Sequence, residues 1–386
     1  MTEKIERVTV TTFRSVSKSF VDVCGHRHPG PARETTEALL TITDSDGVTG
    51  CCLAQPDHLR EAVMERHVRP VLTGQDPLGR ERLWRELARR QRGAHGGLTD
   101  RAIGYVDQAL WDLAGHKLGV PAWKLLGGAR DRLPAYASTM CGDEIPGGLA
   151  TPQDYATFAV QLTELGYRAI KLHTWMPPVS FAPDVAADIA ACAAVRAAVG
   201  PDIALMLDAN HWYSRMDALR LGRALDELRF TWYEEPMTEA SVQSYRWLAA
   251  QIETPLLGPE IAWGSYHARA EWAATGACDI LRAGVDDVGG ITPAVKAVHL
   301  AEAFNMDCEI HGTGSGNLAL LGATTSGRWY ERGLLHPMSD YDEVPPYLRS
   351  RIDAMDADGF VTLPTGPGLG DDLDHGYIHD RTVASW

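Results

Sequence analysis

The sequence lacks the features of a membrane-spanning, disulfide-rich or basic protein. No stretch approaches 18 uncharged apolar residues, which excludes a predicted transmembrane helix. The 36 lysines and arginines are outnumbered by 51 aspartates and glutamates, and the net charge of -15 argues against nucleic acid or an anionic membrane as partner. The seven cysteines show no paired spacing, so we expect reduced thiols and a cytoplasmic location. The charged, alternating segment MTEKIERVTV predicts a strand and not a signal peptide.

Nucleotide-binding loops are also missing, because no GxGxxG or Walker sequence occurs in the chain. What is present from Leu133 onward is an alternation of short β-like runs with helical segments, at about 25 residues per unit. Seven or so units favour an α/β fold of the modified (β/α)8 barrel type. An open doubly wound sheet is the structural alternative, and it would need a phosphate-binding loop after its first strand.

A different pattern precedes and follows the barrel-like units. The alternating run IERVTVTTF and a hairpin that closes through Asp46 and Gly47 are followed by helical segments, which predicts an α+β module over residues 1–131. The barrel is then predicted over 132–335. The strand-and-turn segment 336–386 has no further strand–helix unit, and we expect it to return to the N-terminal module.

Three carboxylates end three successive predicted strands. Asp208 ends MLDAN, Glu234 lies in WYEEP and Glu260 ends LLGPE, at two intervals of 26 residues. Barrel active sites form where the carboxyl ends of the strands meet, so these side chains are expected to converge. Like charges repel at short range, and a set of oxygen ligands without thiolate or imidazole favours Mg²⁺ over zinc. The alternative is three acidic residues at solvent-facing strand ends.

A lysine and a histidine precede these carboxylates in the segment YRAIKLHTW. Lys171 and His173 are two residues apart, so on a strand they share one face. Burying two such groups is costly without a role. His173 is suited to act as a general base, because a cationic neighbour favours the neutral ring that accepts a proton. A solvated strand end is the alternative.

Two further polar groups end the last predicted strands. His311 ends CEIHG and could donate a proton to a leaving hydroxyl or act as a second base. Glu331 lies in RWYERG and, if protonated, could donate to a substrate carboxylate oxygen. Each residue taken alone is also compatible with an ordinary polar residue at a strand end.

The order of these motifs resembles the enolase superfamily, in its mandelate racemase / muconate lactonizing enzyme branch. The segment ALWDLAGHKLGVPAWKLLGG at 109–128 is similar to the signature before the barrel, and KLH, LDAN, YEEP, GPE, DVGG, EIHG, WYE and PGLG follow in family order. The resemblance implies a capping domain built from both chain termini over a modified barrel. It also implies Mg²⁺-assisted removal of a proton α to a carboxylate, with Asp208, Glu234 and Glu260 as ligands and Glu331 as the electrophilic carboxyl.

Two departures from this family pattern concern the bases. The family commonly has a second lysine where this chain has His173, and it pairs the seventh-strand histidine with a sixth-strand aspartate whose place is taken by Gly284. His311 therefore lacks its usual partner, and Glu309 or Asp287 could replace it. Alternatively, Arg282 and Glu309 pair with each other inside the barrel.

The resemblance also implies a substrate class, since many members dehydrate sugar acids. If His311 has no support, we expect one-sided chemistry, in which His173 takes the α-proton and a β-hydroxyl leaves as water. A cycloisomerase acting on an anhydro-sugar acid or lactone, a racemase or epimerase, and a binding protein on an inactive barrel are the alternatives. The expected partner is a small-molecule carboxylate, bound by a homo-oligomer. Candidate substrate-binding residues are Asn210, His211, Trp175, His26 and His28.

Overall fold

The computed structural model describes residues 3–23 and 26–386, and eight parallel strands form the centre of its larger domain. The strands are β4 (Arg132–Thr139), β5 (Ala169–His173), β6 (Ala204–Asp208), β7 (Trp232–Glu234), β8 (Leu256–Gly258), β9 (Ile280–Ala283), β10 (Cys308–Ile310) and β11 (Tyr330–Leu335). They pair in the order β10-β9-β8-β7-β6-β5-β4-β11, which makes a nearly closed barrel. The predicted α/β barrel is confirmed, and the open sheet is excluded.

Each strand from β4 to β10 is followed by a helix that covers the outside of the barrel. These helices are α6 (Pro152–Glu164), α7 (Val185–Val199), α8 (Arg215–Leu228), α9 (Val242–Ala249), α10 (Ser265–Thr275), α11 (Ile291–Ala303) and α12 (Ser315–Ala323). The first four begin after Thr151, Asp184, Ser214 and Ser241, whose side chains accept backbone N–H groups and so define the helix starts. In the described part of the chain, no helix follows β11 before residue 375.

The smaller domain is an antiparallel sheet with helices packed on it. Its strands are β1 (Ile5–Val21), β2 (Arg27–Asp44), β3 (Thr49–Ala54) and, from the end of the chain, β13 (Thr382–Ser385). The helical segments are a 3₁₀ turn (Pro56–His58), α1 (Glu61–Val63), a π-helical turn (Met64–Val68), α2 (Arg69–Leu72), α3 (Arg80–Ala94), α4 (Asp100–Leu118) and α5 (Ala122–Leu125). Because β13 pairs with β1, the C-terminal segment returns to this domain. That segment also contains β12 (Phe360–Thr362) and α13 (His375–Asp380).

The hairpin of β1 and β2 is longer than the sequence predicts. The predicted strand IERVTVTTF ends at Phe13, whereas β1 continues to Val21 and pairs with β2 as far as Arg27. The extra part alternates serine with other residues and buries little, so it has no hydrophobic period to mark it as a strand. The turn between β2 and β3 is formed as predicted, with Gly47 at φ +82.

Helix α4 holds the smaller domain against the barrel. A Cβ atom added to Gly104 would lie 2.9 Å from the carbonyl oxygen of Val285, so only glycine permits this approach. Trp84 donates its indole N–H to the carbonyl of Gly289 at 2.8 Å, and Thr292 Oγ1 donates to Asp107 at 2.7 Å. The start of α4 therefore lies beside the loop that follows β9. Among the described residues, no helix is both long and apolar enough to cross a membrane.

Candidate active site

A cavity of about 1020 Å³ lies between the carboxyl ends of the barrel strands and the β1–β2 hairpin. From the barrel it is lined by six predicted site residues on five strands or the loops after them: His173, Asp208, Asn210, Glu260, His311 and Glu331. From the smaller domain it is lined by the inner face of the hairpin and by Arg101 at the start of α4. Most of the predicted residues therefore meet in one place.

The predicted metal-binding carboxylates are neighbours because their strands are neighbours. Asp208 pairs across the sheet with His173 on one side and with Glu234 on the other. Oxygen atoms of Asp208, Glu235 and Glu260 all lie within 4.8 Å of one another. Glu235 was not predicted, and it brings a fourth carboxylate to the site.

The chemistry of this cluster fits a hard divalent cation. Burial raises the pKa values of Glu235 and Glu260 well above the usual range, and the neighbouring carboxylates add to the rise. One side-chain oxygen of each is buried without a hydrogen-bond partner among the described residues. A set of carboxylate oxygens with unsatisfied lone pairs is what Mg²⁺ requires, and a bound cation removes the repulsion between them.

Lys171 lies beneath the carboxylates on the floor of the cavity. Its Nζ is 3.0 Å from Glu234 Oε2, 3.1 Å from Glu331 Oε1 and 3.4 Å from Asp208 Oδ2. Although burial acts to lower the pKa of Lys171, the carboxylates of Glu234 and Glu331 hold it well above its usual value. An ammonium group with three N–H donors facing three carboxylates is not a base. Lys171 therefore positions the carboxylates, and His173 stays the predicted base.

Arg282 is the second buried cation of the site, and it contacts Glu234 and Glu331 instead of Glu309. Its Nε is 2.6 Å from Glu234 Oε1 and its Nη2 is 2.9 Å from Glu331 Oε2. Arg282 therefore does not pair with Glu309, whose carboxylate instead accepts the backbone N–H groups of Arg328 and Trp329.

The contacts with Lys171 and Arg282 favour the ionised form of Glu331 over the protonated form that the sequence suggested. Burial alone would raise the pKa of Glu331, but Lys171 and Arg282 hold it well below its usual range. The backbone N–H of Gly312 also donates to Glu331 Oε2 at 2.8 Å. As a carboxylate, Glu331 cannot donate a hydrogen bond to substrate, and like Glu234 it contacts both buried cations.

His311 has a carboxylate partner after all. Its Nδ1 is 2.6 Å from Asp287 Oδ2, and the Asp287 side chain is only 3% exposed. Burial acts to lower the pKa of His311, yet Glu260 and Asp287 raise it to about 9. Of the two predicted replacements, Asp287 is the one that contacts His311. The expectation of an unsupported His311 is therefore wrong. The absence of an aspartate at position 284 does not exclude a second base on the opposite face of the α-carbon.

The absence of a side chain at Gly284 makes room for the carboxylate of Asp287. A Cβ atom at Gly284 would lie 2.4 Å from Asp287 Oδ2 and 2.7 Å from the His311 carbonyl, so the carboxylate occupies the space of a residue-284 side chain. Arg101 of α4 donates from Nη2 to the other oxygen, Asp287 Oδ1, at 3.0 Å. Asp287, which contacts His311, is thus itself held by Arg101 of the smaller domain. The strand periodicity of the barrel cannot predict this contact.

His173 is fixed at the end of β5 from both sides of its backbone. Its N–H donates to Thr139 Oγ1 at 3.1 Å, and Tyr155 donates its hydroxyl to the His173 carbonyl at 2.7 Å. The ring lines the cavity, with Nε2 3.1 Å from Asp208 Oδ2. Nδ1 is buried without a hydrogen-bond partner among the described residues. These contacts hold the ring at the cavity, where a base must be.

The predicted substrate-binding residues divide into two groups. Asn210 and His26 line the cavity. His28 instead turns to Asp22, with Nε2 2.9 Å from its carboxylate, and the exposed ring of His211 stacks on Trp212.

Trp175 does not line the cavity either. Its indole N–H donates to the carbonyl of Leu149 at 2.9 Å, and its ring packs edge-on against Tyr155. The side chain is 1% exposed and belongs to the hydrophobic core. The prediction was wrong because the ring packs against Tyr155 of α6 in the core and does not line the cavity.

The chain belongs to the mandelate racemase / muconate lactonizing enzyme family. Residues 28–127 match its N-terminal domain, and residues 154–377 match the enolase C-terminal domain-like family. Together these matches span most of the smaller domain and most of the barrel. The family places the chain in the enolase superfamily, as the motif order indicated.

Several relatives act on sugar acids. D-galactarolactone cycloisomerase from Agrobacterium fabrum is 32% identical over 86% of this chain and 87% of the relative. D-galactonate dehydratase from Ralstonia nicotianae is 31% identical over 89% of this chain and 90% of the relative. A solved structure of D-glucarate dehydratase from Agrobacterium tumefaciens, complexed with magnesium, is 56% identical, has a TM-score of 0.98 and covers 99% of both chains.

Proposed function

We propose that the protein is a Mg²⁺-dependent sugar-acid dehydratase, which removes the proton α to a carboxylate and expels the β-hydroxyl as water. The observation that carries the proposal is the meeting of three groups in one cavity: the anchored base His173, a buried carboxylate cluster and the supported acid His311. We further propose a homo-oligomeric, cytoplasmic enzyme, which remains a prediction from the sequence.

Asp208, Glu234 and Glu260 are the residues proposed to hold the ion, with Glu235 as the fourth carboxylate beside them. A bound Mg²⁺ stabilises the negative charge that develops on the substrate carboxylate as the α-proton leaves. We keep Glu234 as a ligand because it lies in register with Asp208 on β7, whereas Glu235 leaves the strand at φ +41. Lys171 and Trp232 both donate to Glu234 Oε2, whereas Oε1 has Arg282 as its one contact among the described residues and keeps a lone pair for the ion.

The protein residues then supply the proton transfers. His173 accepts the proton from the α-carbon, and the electron pair of that C–H bond passes into the substrate carboxylate to give an enediolate. That electron pair then forms the carbon–carbon double bond as the β-C–O bond breaks. His311 donates its proton to the departing hydroxyl, so that water leaves. The remaining enol rearranges to a 2-keto-3-deoxy acid. Asp287 stabilises the protonated imidazole before this transfer and holds its Nδ1.

A cycloisomerase is the second candidate, because one of the relatives is D-galactarolactone cycloisomerase. The same two proton transfers apply if the leaving oxygen belongs to a ring ether, and the product is then an isomer of the substrate. Racemisation also stays chemically open, since His311 has the carboxylate support that a second base needs. The dehydratase proposal is preferred because two of the three relatives named above are dehydratases.

A substrate panel tests the proposal. We expect Mg²⁺-dependent formation of a 2-keto-3-deoxy acid from at least one six-carbon sugar acid, and loss of that activity when EDTA removes the metal. Binding of sugar acids without turnover of any panel member, in the presence of Mg²⁺, would favour a binding protein over an enzyme.

Glutamine substitutions at two adjacent glutamates test whether Glu234 or Glu235 is the metal ligand beside Asp208 and Glu260. We expect Glu234→Gln to lower the Mg²⁺ affinity by tenfold or more, because a neutral amide replaces a ligand carboxylate. Glu235→Gln is the matched variant, and its affinity should change less. Calorimetric titration with Mg²⁺ measures both. A larger loss in Glu235→Gln than in Glu234→Gln would assign the ligand to Glu235.

A further inference from the structure

We propose that the β1–β2 hairpin binds a second carboxylate of the substrate, so that the site accepts sugar diacids, or aldarates, in preference to sugar monoacids. The inference rests on the proposed function and names the substrate class of the same cavity. It assigns the distal carboxylate to Arg27 and Arg33, which stand on the hairpin wall of the cavity.

The hairpin presents one polar face to the cavity. Ser17, Ser19 and Val21 alternate along β1, so their side chains lie on one side of the strand, and all three line the cavity. Arg33 pairs directly across from Ser17, and Arg27 pairs across from Val21. Residues opposite each other on antiparallel strands share a face, which places both arginines on the cavity side.

The two guanidinium groups meet at one serine. Arg27 donates from Nη1 to Ser19 Oγ at 2.7 Å, and Arg33 donates from Nε to the Ser19 carbonyl at 3.2 Å. Neither arginine forms an ion pair with a carboxylate of residues 3–23 or 26–386, and each uses one of its five N–H groups in these contacts. The remaining donors form forks that match the two oxygens of a carboxylate.

The acidic residues on the same wall do not cancel this charge. Glu34 pairs with Arg14 at 3.1 Å, so its charge is balanced from outside the cavity. Glu37 accepts from Thr35 Oγ1 at 3.4 Å and is the remaining cavity-lining carboxylate of the hairpin itself. Asp57 lines the cavity from the turn after β3, away from the hairpin strands. Two arginines against one glutamate leave the hairpin side positive. A substrate with carboxylates at both ends would place one at the barrel and the other at the hairpin.

The matched probes are D-glucarate and D-gluconate, which differ only in a terminal carboxylate against a hydroxymethyl group. With Mg²⁺ present, we expect the protein to prefer glucarate by at least about tenfold in kcat/KM. Arg27→Gln/Arg33→Gln should lower kcat/KM for glucarate by about tenfold to a hundredfold, mainly through KM, because charge-assisted hydrogen bonds to the distal carboxylate are lost. Gluconate turnover should change less than about threefold.

Two controls keep the result specific. Arg7→Gln removes a charge from an exposed position of the same strand β1, outside the cavity, and should leave both substrates unaffected. Arg27→Lys/Arg33→Lys keeps the charge but loses the planar fork, so it should recover part of the glucarate preference.

Calorimetric binding of both sugar acids separates this inference from the proposed function. Turnover of glucarate and gluconate with equal kcat/KM, or an unchanged glucarate preference in the double glutamine variant, would overturn the diacid subsite while the dehydratase remains. Preferential glucarate binding that is lost in that variant, without turnover of any acid, would support the subsite and overturn the dehydratase.

Discussion

Replacing His173 by asparagine should lower kcat by about a hundredfold to ten-thousandfold, the usual loss when a general base is removed. His173 is the cavity residue whose backbone is anchored by Thr139 and Tyr155, and Lys171 beside it cannot take the role because its three N–H groups face carboxylates. The readout that separates a base from a structural residue is exchange of the substrate α-proton in D₂O. Both the exchange and the elimination should be lost together.

A control defines the result for His173. His28→Asn alters another histidine near the cavity, one that contacts Asp22 and does not line the cavity, so α-proton exchange should persist. If His173→Asn retained α-proton exchange within fivefold of the wild-type rate, another residue would be the base.

Replacing Asp287 by asparagine should also cost about a hundredfold to ten-thousandfold in kcat, because the amide neither fixes the His311 tautomer nor stabilises the imidazolium. The loss should fall on elimination. We expect α-proton exchange by His173 to continue, so that α-deuterated substrate accumulates in D₂O while little water is lost. NMR of the recovered substrate and mass spectrometry of the product measure the two steps separately.

The adjacent aspartate provides a matched control for this prediction. Asp286 accepts from Gln108 Nε2 at 2.9 Å and does not contact His311, so Asp286→Asn should keep most of the elimination activity. An Asp287→Asn variant in which exchange and elimination fall in parallel would show that Asp287 supports the site as a whole, and a variant with wild-type elimination would remove the His311–Asp287 pair from the mechanism.

The barrel and its carboxylates were predictable because both follow from periodicity. Strand–helix alternation defines which residues end a strand, and equal spacing places Asp208, Glu234 and Glu260 at or just after the ends of three successive strands. Counting along the strands fails where a loop supplies the group. Asp287 lies three residues beyond the expected position, and its loop conformation, which needs glycine at 284, carries no periodic signal.

Contacts between the domains are the second class of feature that the sequence could not provide. Arg101 reaches Asp287 from a helix 186 residues earlier, and only the packing of α4 on the barrel brings them together. The hairpin arginines Arg27 and Arg33 stand on a strand without hydrophobic alternation. A pair of Arg282 with Glu309 inside the barrel was one alternative, but the observed partners of Arg282 are Glu234 and Glu331.

Incubation of the wild-type protein with Mg²⁺ and D-glucarate in D₂O, followed by ¹H NMR and mass spectrometry, tests the elimination chemistry most directly. The proposed sequence of deprotonation by His173 and hydroxyl loss assisted by His311 predicts a 2-keto-3-deoxy product that has lost one water and gained solvent deuterium at C3. Recovery of the α-epimer as the main product, or of an isomer of unchanged composition apart from deuterium, would contradict it.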